Sequence, residues 1–336
     1  MDIIALLIEF VKAQGYTSSF CRNLLSCILT VMVFNLEPTI SRIALFLPVN
    51  AELRHRRKHL QRFLLMLDER IFKVLFKLVL HVLGKPSRIV VAIDWTQIGK
   101  RYLFLAAITI DGRTLPIAFL LRENKSVQDK KEMVSLIGRV ISDPVEVTIV
   151  ADGEFFSPKF LDCVKRSGFH YVIRTRKNVL FNGTALVKYS DSTKDLWFGK
   201  YTSSGYCARV IINRRGKDSY FLVTDLRYSE ETILEIYLKR FWIEETFRDY
   251  KTYMGFGKYS KSQSIDRLFG LAVIYSFSYV FAYHTSKSLV RDNDLSWYLC
   301  ARTFQTYLAC NSIFLSLLNS IPGLFRRPPS SRSFFR

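Results

Sequence analysis

The chain has 336 residues, 49% of them hydrophobic, and a formal net charge of +20 from 49 Lys and Arg against 29 Asp and Glu. That length holds one large domain or two to three smaller ones, and that apolar content excludes a disordered chain. The positive excess points to a polyanionic partner, either nucleic acid or an anionic membrane surface.

Residues 1–86 read as a helical N-terminal region with turns near Gly15, Glu37-Pro38 and Leu47-Pro48. Asp2 and the lack of a basic leader argue against a signal peptide. Arg54, Arg56, Arg57 and Lys58, followed by Arg62, form a basic run. Such runs are usually solvated faces, but in a chain this basic the run is expected to contact DNA phosphates. His55 and His59 have a metal-ligand spacing, yet the cations around them would repel a metal ion. The six cysteines are scattered without a C-x2-C pair, which excludes a zinc ribbon and fits reduced thiols in a cytosol. Gly84-Lys85-Pro86-Ser87 marks a boundary.

From Arg88 the pattern becomes α/β. Strands are predicted at 89–94, 102–110 and 114–121, with Asp111-Gly112 as a hairpin turn. A helix is expected at 127–140, then a strand running from Val145 toward Asp152, a helix at 156–167 and a strand at 169–174. Arg88 to Asp94 and Val145 to Asp152 are β-branched apolar runs, as in strands buried on both faces, and each ends in an aspartate. A carboxylate at such a place is costly unless its charge is compensated. Each alone reads equally as a cap or turn residue.

Residues 175–224 read as a β-rich insertion with strands at Cys207–Asn213 and Tyr220–Thr224, made basic by Arg174, Arg176, Lys177, Arg209, Arg214, Arg215 and Lys217. Trp197 is a core tryptophan of that small unit or a platform for an unpaired base. Tyr237 to Lys251 contains no Gly or Pro and reads as one helix of about four turns. At about 100° per residue, Tyr237, Arg240, Glu244 and Lys251 share a stripe about 60° wide, while Glu245 points about 80° away from Tyr237. A carboxylate among cations on one face suits a site holding metal and phosphate together; the simpler reading is a solvated face with i,i+4 pairs. Two strand-end aspartates and a helical glutamate supply oxygen ligands for a divalent metal.

In this order, Asp94, Asp152 and Glu244 resemble the acidic triad of the DDE transposases. Tyr237-x2-Arg240-x3-Glu244-x6-Lys251 is similar to the signature of the insertion-sequence-four transposase family, with Phe241 and Trp242 standing where that family usually has Trp directly after Arg. The resemblance covers about residues 88–285. It implies an α/β, ribonuclease-H-like mixed sheet flanked by helices, here over 87–290 and interrupted at 175–224 by the insertion. It implies metal-dependent cut-and-paste transposition, often through a hairpin intermediate. Asp94, Asp152 and Glu244 would hold two Mg²⁺ ions, with Mn²⁺ as substitute, and Tyr237, Arg240 and Lys251 would hold phosphates. The expected partners are the terminal inverted repeats of an insertion sequence and target DNA, bound by a homodimer in a bacterial cytoplasm.

The alternatives are a ribonuclease-H-like nuclease without strand transfer and an inactive DNA-binding relic. A membrane protein rests only on Leu268 to Tyr283, sixteen uncharged residues. A spanning helix needs about 20, so a buried core helix is expected there. Lys258 and Lys261 could follow a phosphate backbone. Residues 291–336 read as a C-terminal helix and a basic disordered tail.

Overall fold

A computed structural model describes residues 3–34, 39–47, 49, 51–141, 144–189, 191–198, 206–215, 218–253, 256 and 264–289. The apolar runs after Arg88 form a meander of three antiparallel strands, β1 (Arg88–Ile98), β2 (Arg101–Ile110) and β3 (Arg113–Arg122). The β2–β3 turn has φ of 41° at Asp111 and 75° at Gly112. Two positive φ values in a two-residue loop make the primed turn whose twist matches the flanking strands, which explains the Asp-Gly pair.

Two crossovers then add parallel strands. Helix α6 (Val127–Val140) starts at a capping box between Ser126 and Asp129, and leads to β4 (Glu146–Ala151), parallel to β1. Helix α7 (Pro158–Arg166) opens with Pro158, where a missing N–H costs nothing, and leads to β5 (His170–Arg174), parallel to β4. The strand order β3-β2-β1-β4-β5 is ribonuclease-H-like, as the resemblance implies.

The insertion does not form a sheet of its own. Its strands are β6 (Leu180–Phe181), β7 (Thr184–Ala185), β8 (Ser192–Phe198), β9 (Tyr206–Arg215) and β10 (Asp218–Thr224). β10 pairs antiparallel with β5, so one sheet of ten strands runs β3-β2-β1-β4-β5-β10-β9-β8-β6-β7. The open edge of β5 is thereby covered, which removes a row of unpaired backbone groups.

Five helices precede the sheet: α1 (Ile3–Ala13), α2 (Ser18–Phe34), α3 (Ile40–Phe46), α4 (Leu53–Leu64) and α5 (Ile71–Val82). Ile71, Phe72, Val74, Leu75, Phe76, Leu78 and Val79 of α5 are fully buried. Phe72 meets Phe119 of β3 edge-on at 4.9 Å and Phe269 at 5.7 Å. Phe269 belongs to α10 (Ile265–Leu289), so helices from both ends of the described chain share one apolar core with the sheet. α10 is long and apolar enough to cross a membrane, and 72% of its apolar window is buried inside the protein. The residues expected to form the C-terminal helix and basic tail, and Lys258 and Lys261, lie outside the described residues.

α10 comes close to α4 at Gly270, where an added Cβ would lie 2.6 Å from the Leu64 carbonyl oxygen and 2.9 Å from its Cα. Backbone cannot yield as a side-chain tip can, so Gly270→Ala is expected to cost about 1–3 kcal/mol by overpacking. Chemical denaturation checks this; an unchanged midpoint would mean that α10 and α4 are not seated this tightly.

Candidate active site

The sheet brings the two aspartates together. Ala92 of β1 lies opposite Val150 of β4, so the register carries Asp94 and Asp152, each two residues further on, to the same end of neighbouring parallel strands. Strands lie about 4.8 Å apart. Ala151 in turn lies opposite Ile173 of β5, which extends the row to Arg174. Asp94 is held in place locally, because its Oδ1 accepts a 2.7 Å hydrogen bond from the Trp95 amide. Trp95 is fixed by stacking on Phe104 at 4.3 Å. The Oδ1 of Asp152 accepts from the Glu154 amide at 2.8 Å, an Asx-type turn just past the strand end.

The helix carrying Glu244 is not the uniform four-turn element expected. It begins earlier, as α8 (Glu230–Leu238), capped by the Ser229 side chain on the Thr232 amide. It tightens to a 3₁₀ turn at Lys239–Phe241, resumes as α9 (Trp242–Arg248) and widens to a π-turn at Asp249–Tyr253. Tertiary contacts account for the widening. Asp249 accepts from the Tyr279 hydroxyl at 2.8 Å and pairs with Arg113 at 3.3 Å, while the hydroxyls of Tyr250 and Ser276 are 3.1 Å apart. Asp249 and Tyr250 are both buried, and the π-turn, a single-turn widening of the kind found inside α-helices, carries them at this contact with α10 and β3.

The stripe holds over its first two turns. Arg240 is 6% exposed, and its guanidinium forks between two carboxylates. Nη1 donates to Asp94 Oδ2 at 3.1 Å, and Nη2 donates to Glu244 Oε1 at 2.8 Å. The same guanidinium lies 4.5 Å from the centre of the Phe241 ring. Tyr237 is fully buried one turn earlier, and its hydroxyl makes no hydrogen bond of normal geometry. Glu245 points elsewhere, as the angles predict, and pairs with Arg113 at 3.6 Å and with Arg248. Lys251 falls in the π-turn, exposed, with no ion-pair partner among the described residues, so the regular-helix arithmetic does not carry it to the cluster.

Burial raises the Asp94 carboxyl to about 6, against the Trp95 amide and Arg240, with Asp152 and Glu244 adding to the rise. Burial also raises the Tyr237 phenol, with Arg240 and Arg174 opposing. Among the described residues no three acidic, His or Cys groups stand close enough together to hold a metal ion. The donor set nonetheless fits a divalent cation chemically, since it consists of carboxylate oxygens. Arg240 already places a positive charge between two of them.

The other predicted residues separate. Arg54, Arg57 and Lys58 are exposed on α4. Arg56 is not free like its neighbours: Nε donates to the Ala51 carbonyl at 2.7 Å and Nη1 to the Leu45 carbonyl at 2.9 Å, bracing the turn between α3 and α4. His59 meets Asn23 at 3.3 Å. Trp197 sits on β8 opposite Cys207 of β9, and its side chain lies outside the described residues. Sequence reasoning missed Lys125. Its ammonium sits 5.7 Å from the ring centres of both Trp95 and Tyr102 and 3.1 Å from Glu154, tying the loop after β3 to the residue that orients Asp152. A lysine in a loop gives no sequence signal for such a role.

The family model for the transposase DDE domain matches residues 85–280, more than half of the chain. No curated protein matches. Among solved structures, the chain is similar to the cryo-EM structure of a piggyBac transposase synaptic complex with hairpin DNA. The identity is 11% and the TM-score 0.42, over 98% of this chain and 84% of that one.

The raised Asp94 carboxyl has a consequence for stability. The fold binds this proton more tightly than the unfolded chain does. Its contribution is therefore full below the unfolded value near 4 and is lost as pH rises through about 6. With a chelator present, wild type is expected to lose melting temperature relative to Asp94→Asn between about pH 4 and pH 8, by an amount on the order of 3 kcal/mol at most. Melting curves that stay parallel over that range would show that Arg240 compensates the charge in full.

Proposed function

The chain belongs to the transposase DDE-domain family, and from that premise we propose that it moves an insertion sequence by metal-dependent cut-and-paste, as a transposase of the insertion-sequence-four type. The observation that carries this reading is the fork of Arg240 between Asp94 and Glu244, just past the point where β1 stops pairing with the parallel strand β4. The spacing Tyr237-x2-Arg240-x3-Glu244-x6-Lys251 supports the finer assignment. Arg240 and Glu244 lie on one face of the helical segment, and Glu245 leaves that face.

As a DNA transposase, the chain needs a site that cuts a phosphodiester and then joins the freed end. Asp94, Asp152 and Glu244 would hold divalent ions, Mg²⁺ or Mn²⁺. Such ions supply Lewis-acid stabilisation of the reacting oxygens. The residues of the chain do the rest. Water attacks the phosphorus and the 3′ oxygen leaves, taking a proton to become a hydroxyl. That hydroxyl then attacks a second phosphodiester in line and displaces another 3′ oxygen, so one P–O bond forms for each one broken and no covalent protein intermediate arises.

Arg240 has two partners in the described state. With Asp94 and Glu244 holding a metal ion, its guanidinium would be free for a nonbridging phosphate oxygen, a contact that a planar fork makes well. The Tyr237 hydroxyl, with no ordinary hydrogen bond of its own, is a second donor for the same phosphate. Lys251, exposed at the end of the segment, would meet the strand further out. The net charge of +20 supports DNA as the partner, with exposed Arg54, Arg57 and Lys58 as phosphate contacts. Terminal inverted repeats, target DNA and a homodimer bound to them complete the proposal. The compartment proposed is the bacterial cytoplasm, which the free cysteines Cys21, Cys27 and Cys163 support.

Two substitutions test the assignment of the glutamate. Glu244→Gln keeps size and removes the ligand charge, so magnesium-dependent cleavage of element-end DNA is expected to fall by orders of magnitude, with DNA binding retained in a gel shift. Glu245→Gln is expected to leave cleavage within a few-fold, since it gives up only partly exposed ion pairs worth about 0.5 kcal/mol. An active Glu244→Gln, or a folded but dead Glu245→Gln, would reassign the site.

Tyr237→Phe separates binding from folding. Removing a buried hydroxyl that lacks an ordinary partner is expected to leave the melting temperature unchanged or higher, while cleavage drops about ten-fold or more. A variant that cleaves like wild type would remove Tyr237 from the phosphate site.

A further inference from the structure

We infer that the cleft opening beside Asp152 binds an unpaired nucleic-acid strand, gripped through its phosphates by Arg176 and Lys177. This inference rests on the transposase reading and adds to it the path of one strand. The cleft has a volume of about 790 Å³. Its lining includes Asp152 and Arg240 together with Arg174, Thr175, Arg176, Lys177, Ser219 and Phe221. It therefore adjoins the carboxylate cluster and reaches the end of β5 and β10, where the insertion joins the sheet.

Three features select the ligand. The first is charge left free. Arg176 and Lys177 are exposed, and neither has an ion-pair or side-chain hydrogen-bond partner among the described residues. Arg174 differs, because its Nη2 donates to the Ser219 carbonyl at 3.2 Å and its guanidinium lies 5.7 Å from the Tyr220 ring centre. Arg174 thus builds the wall, and the next two cations are available to an anion. The second is position. A Cβ added to Gly153 would lie 3.9 Å from Arg176 Cγ, so the Arg176 stem passes over the backbone just after Asp152. The third is an unused donor. Thr175 is 3% exposed, lines the cleft, and its buried hydroxyl has no hydrogen-bond partner. A buried hydroxyl without a partner is costly unless a ligand satisfies it.

The size of the cleft decides between a duplex and a single strand. Clefts of about 300–1,000 Å³ enclose small ligands, the scale of a few nucleotides and not of a double helix. A charged groove with an aromatic wall is also the usual arrangement for sequence-independent single-strand binding. A strand whose phosphodiester sits at Asp94 and Asp152 would leave the site along this groove, unpaired from its complement.

Fluorescence anisotropy on the full chain tests this with two probes, a blunt element-end duplex and the same duplex carrying a short single-stranded overhang. The double variant Arg176→Ala/Lys177→Ala is expected to bind the overhang probe about ten-fold more weakly and the blunt probe within about two-fold of wild type. Its slope of log affinity against log salt on the overhang probe should shrink by about one to one and a half. Equal losses on both probes, or none on either, overturn the strand path, as does a wild type that does not prefer the overhang. Thr175→Val is a second variant, expected to weaken only overhang binding. Adding inorganic phosphate to wild type reports a simple anion pocket: if millimolar phosphate displaces the overhang while the charge variant still binds it, the assignment fails. Magnesium-dependent cleavage of the blunt probe is followed in parallel. A wild type that shows the anisotropy pattern but never cuts overturns the transposase reading and leaves the strand site standing.

Discussion

A buried guanidinium organises this protein. Arg240 is 6% exposed, and an isolated charge at that depth is very costly. Its charge is met from two directions, by Asp94 on the sheet and by Glu244 one turn along its own helix. The pair with Asp94 spans 146 residues of sequence, so it fixes the helical segment against the end of β1. The cost is shared unequally. Asp94 is itself buried and resists ionisation even beside Arg240, whereas the Glu244 side chain is 54% exposed and keeps most of its hydration.

Positioning that fork requires the helix to be held in phase. Below Arg240 the segment is pinned to the second hairpin. The Thr246 hydroxyl lies 2.8 Å from that of Thr114, and the Thr114 amide donates to it at 3.2 Å. Three residues later Asp249 meets Arg113, next to Thr114 on the same strand, and Tyr279 of α10. The Asp-Gly turn that starts β3 therefore serves the site at a distance, because it sets where Arg113 and Thr114 stand. The π-turn carries these contacts, and it lies just beyond the residues whose spacing matters for the fork.

Much of this architecture is legible in the amino-acid sequence. β-Branched runs ending in aspartate mark both strands; the run before Asp152 ends where β4 ends, whereas β1 continues past Asp94 to Ile98 because Trp95–Ile98 stay paired with β2. Glu244 is separable from Glu245 because the helical period holds over the eight residues from Tyr237 to Glu244. The same period misplaces Lys251, since a π-turn adds a residue that no local propensity announces. Arg56 looks equal to Arg54, Arg57 and Lys58, as charge alone does not tell a solvated cation from one capping carbonyls. The insertion is visible as β-rich, but its continuity with the main sheet depends on β5 having an open edge, which is a property of topology and not of any window of sequence. The Trp197 side chain, the basic tail, Lys258 and Lys261 lie outside the described residues.

The fork also sets the relation between the resting state and the chemistry. Three carboxylates that are to share divalent ions repel one another when no ion is present, and a fold that kept them empty and close would be less stable for it. Here one monovalent guanidinium takes two of the three, which lowers the repulsion and leaves Asp152 to the Glu154 backbone amide. Under the proposed function, a divalent ion held by these carboxylates would carry two positive charges against the single charge of the guanidinium and would compete with it for them. The displaced guanidinium is then a cation at the mouth of a cleft already lined by Arg174, Arg176 and Lys177. A strand phosphate is the anion that such a released charge would meet. The same side chain neutralises two carboxylates of the free site and, on the proposed function, would become a binding group in the loaded one; an arginine, with its fixed two-pronged fork, suits both tasks better than a lysine.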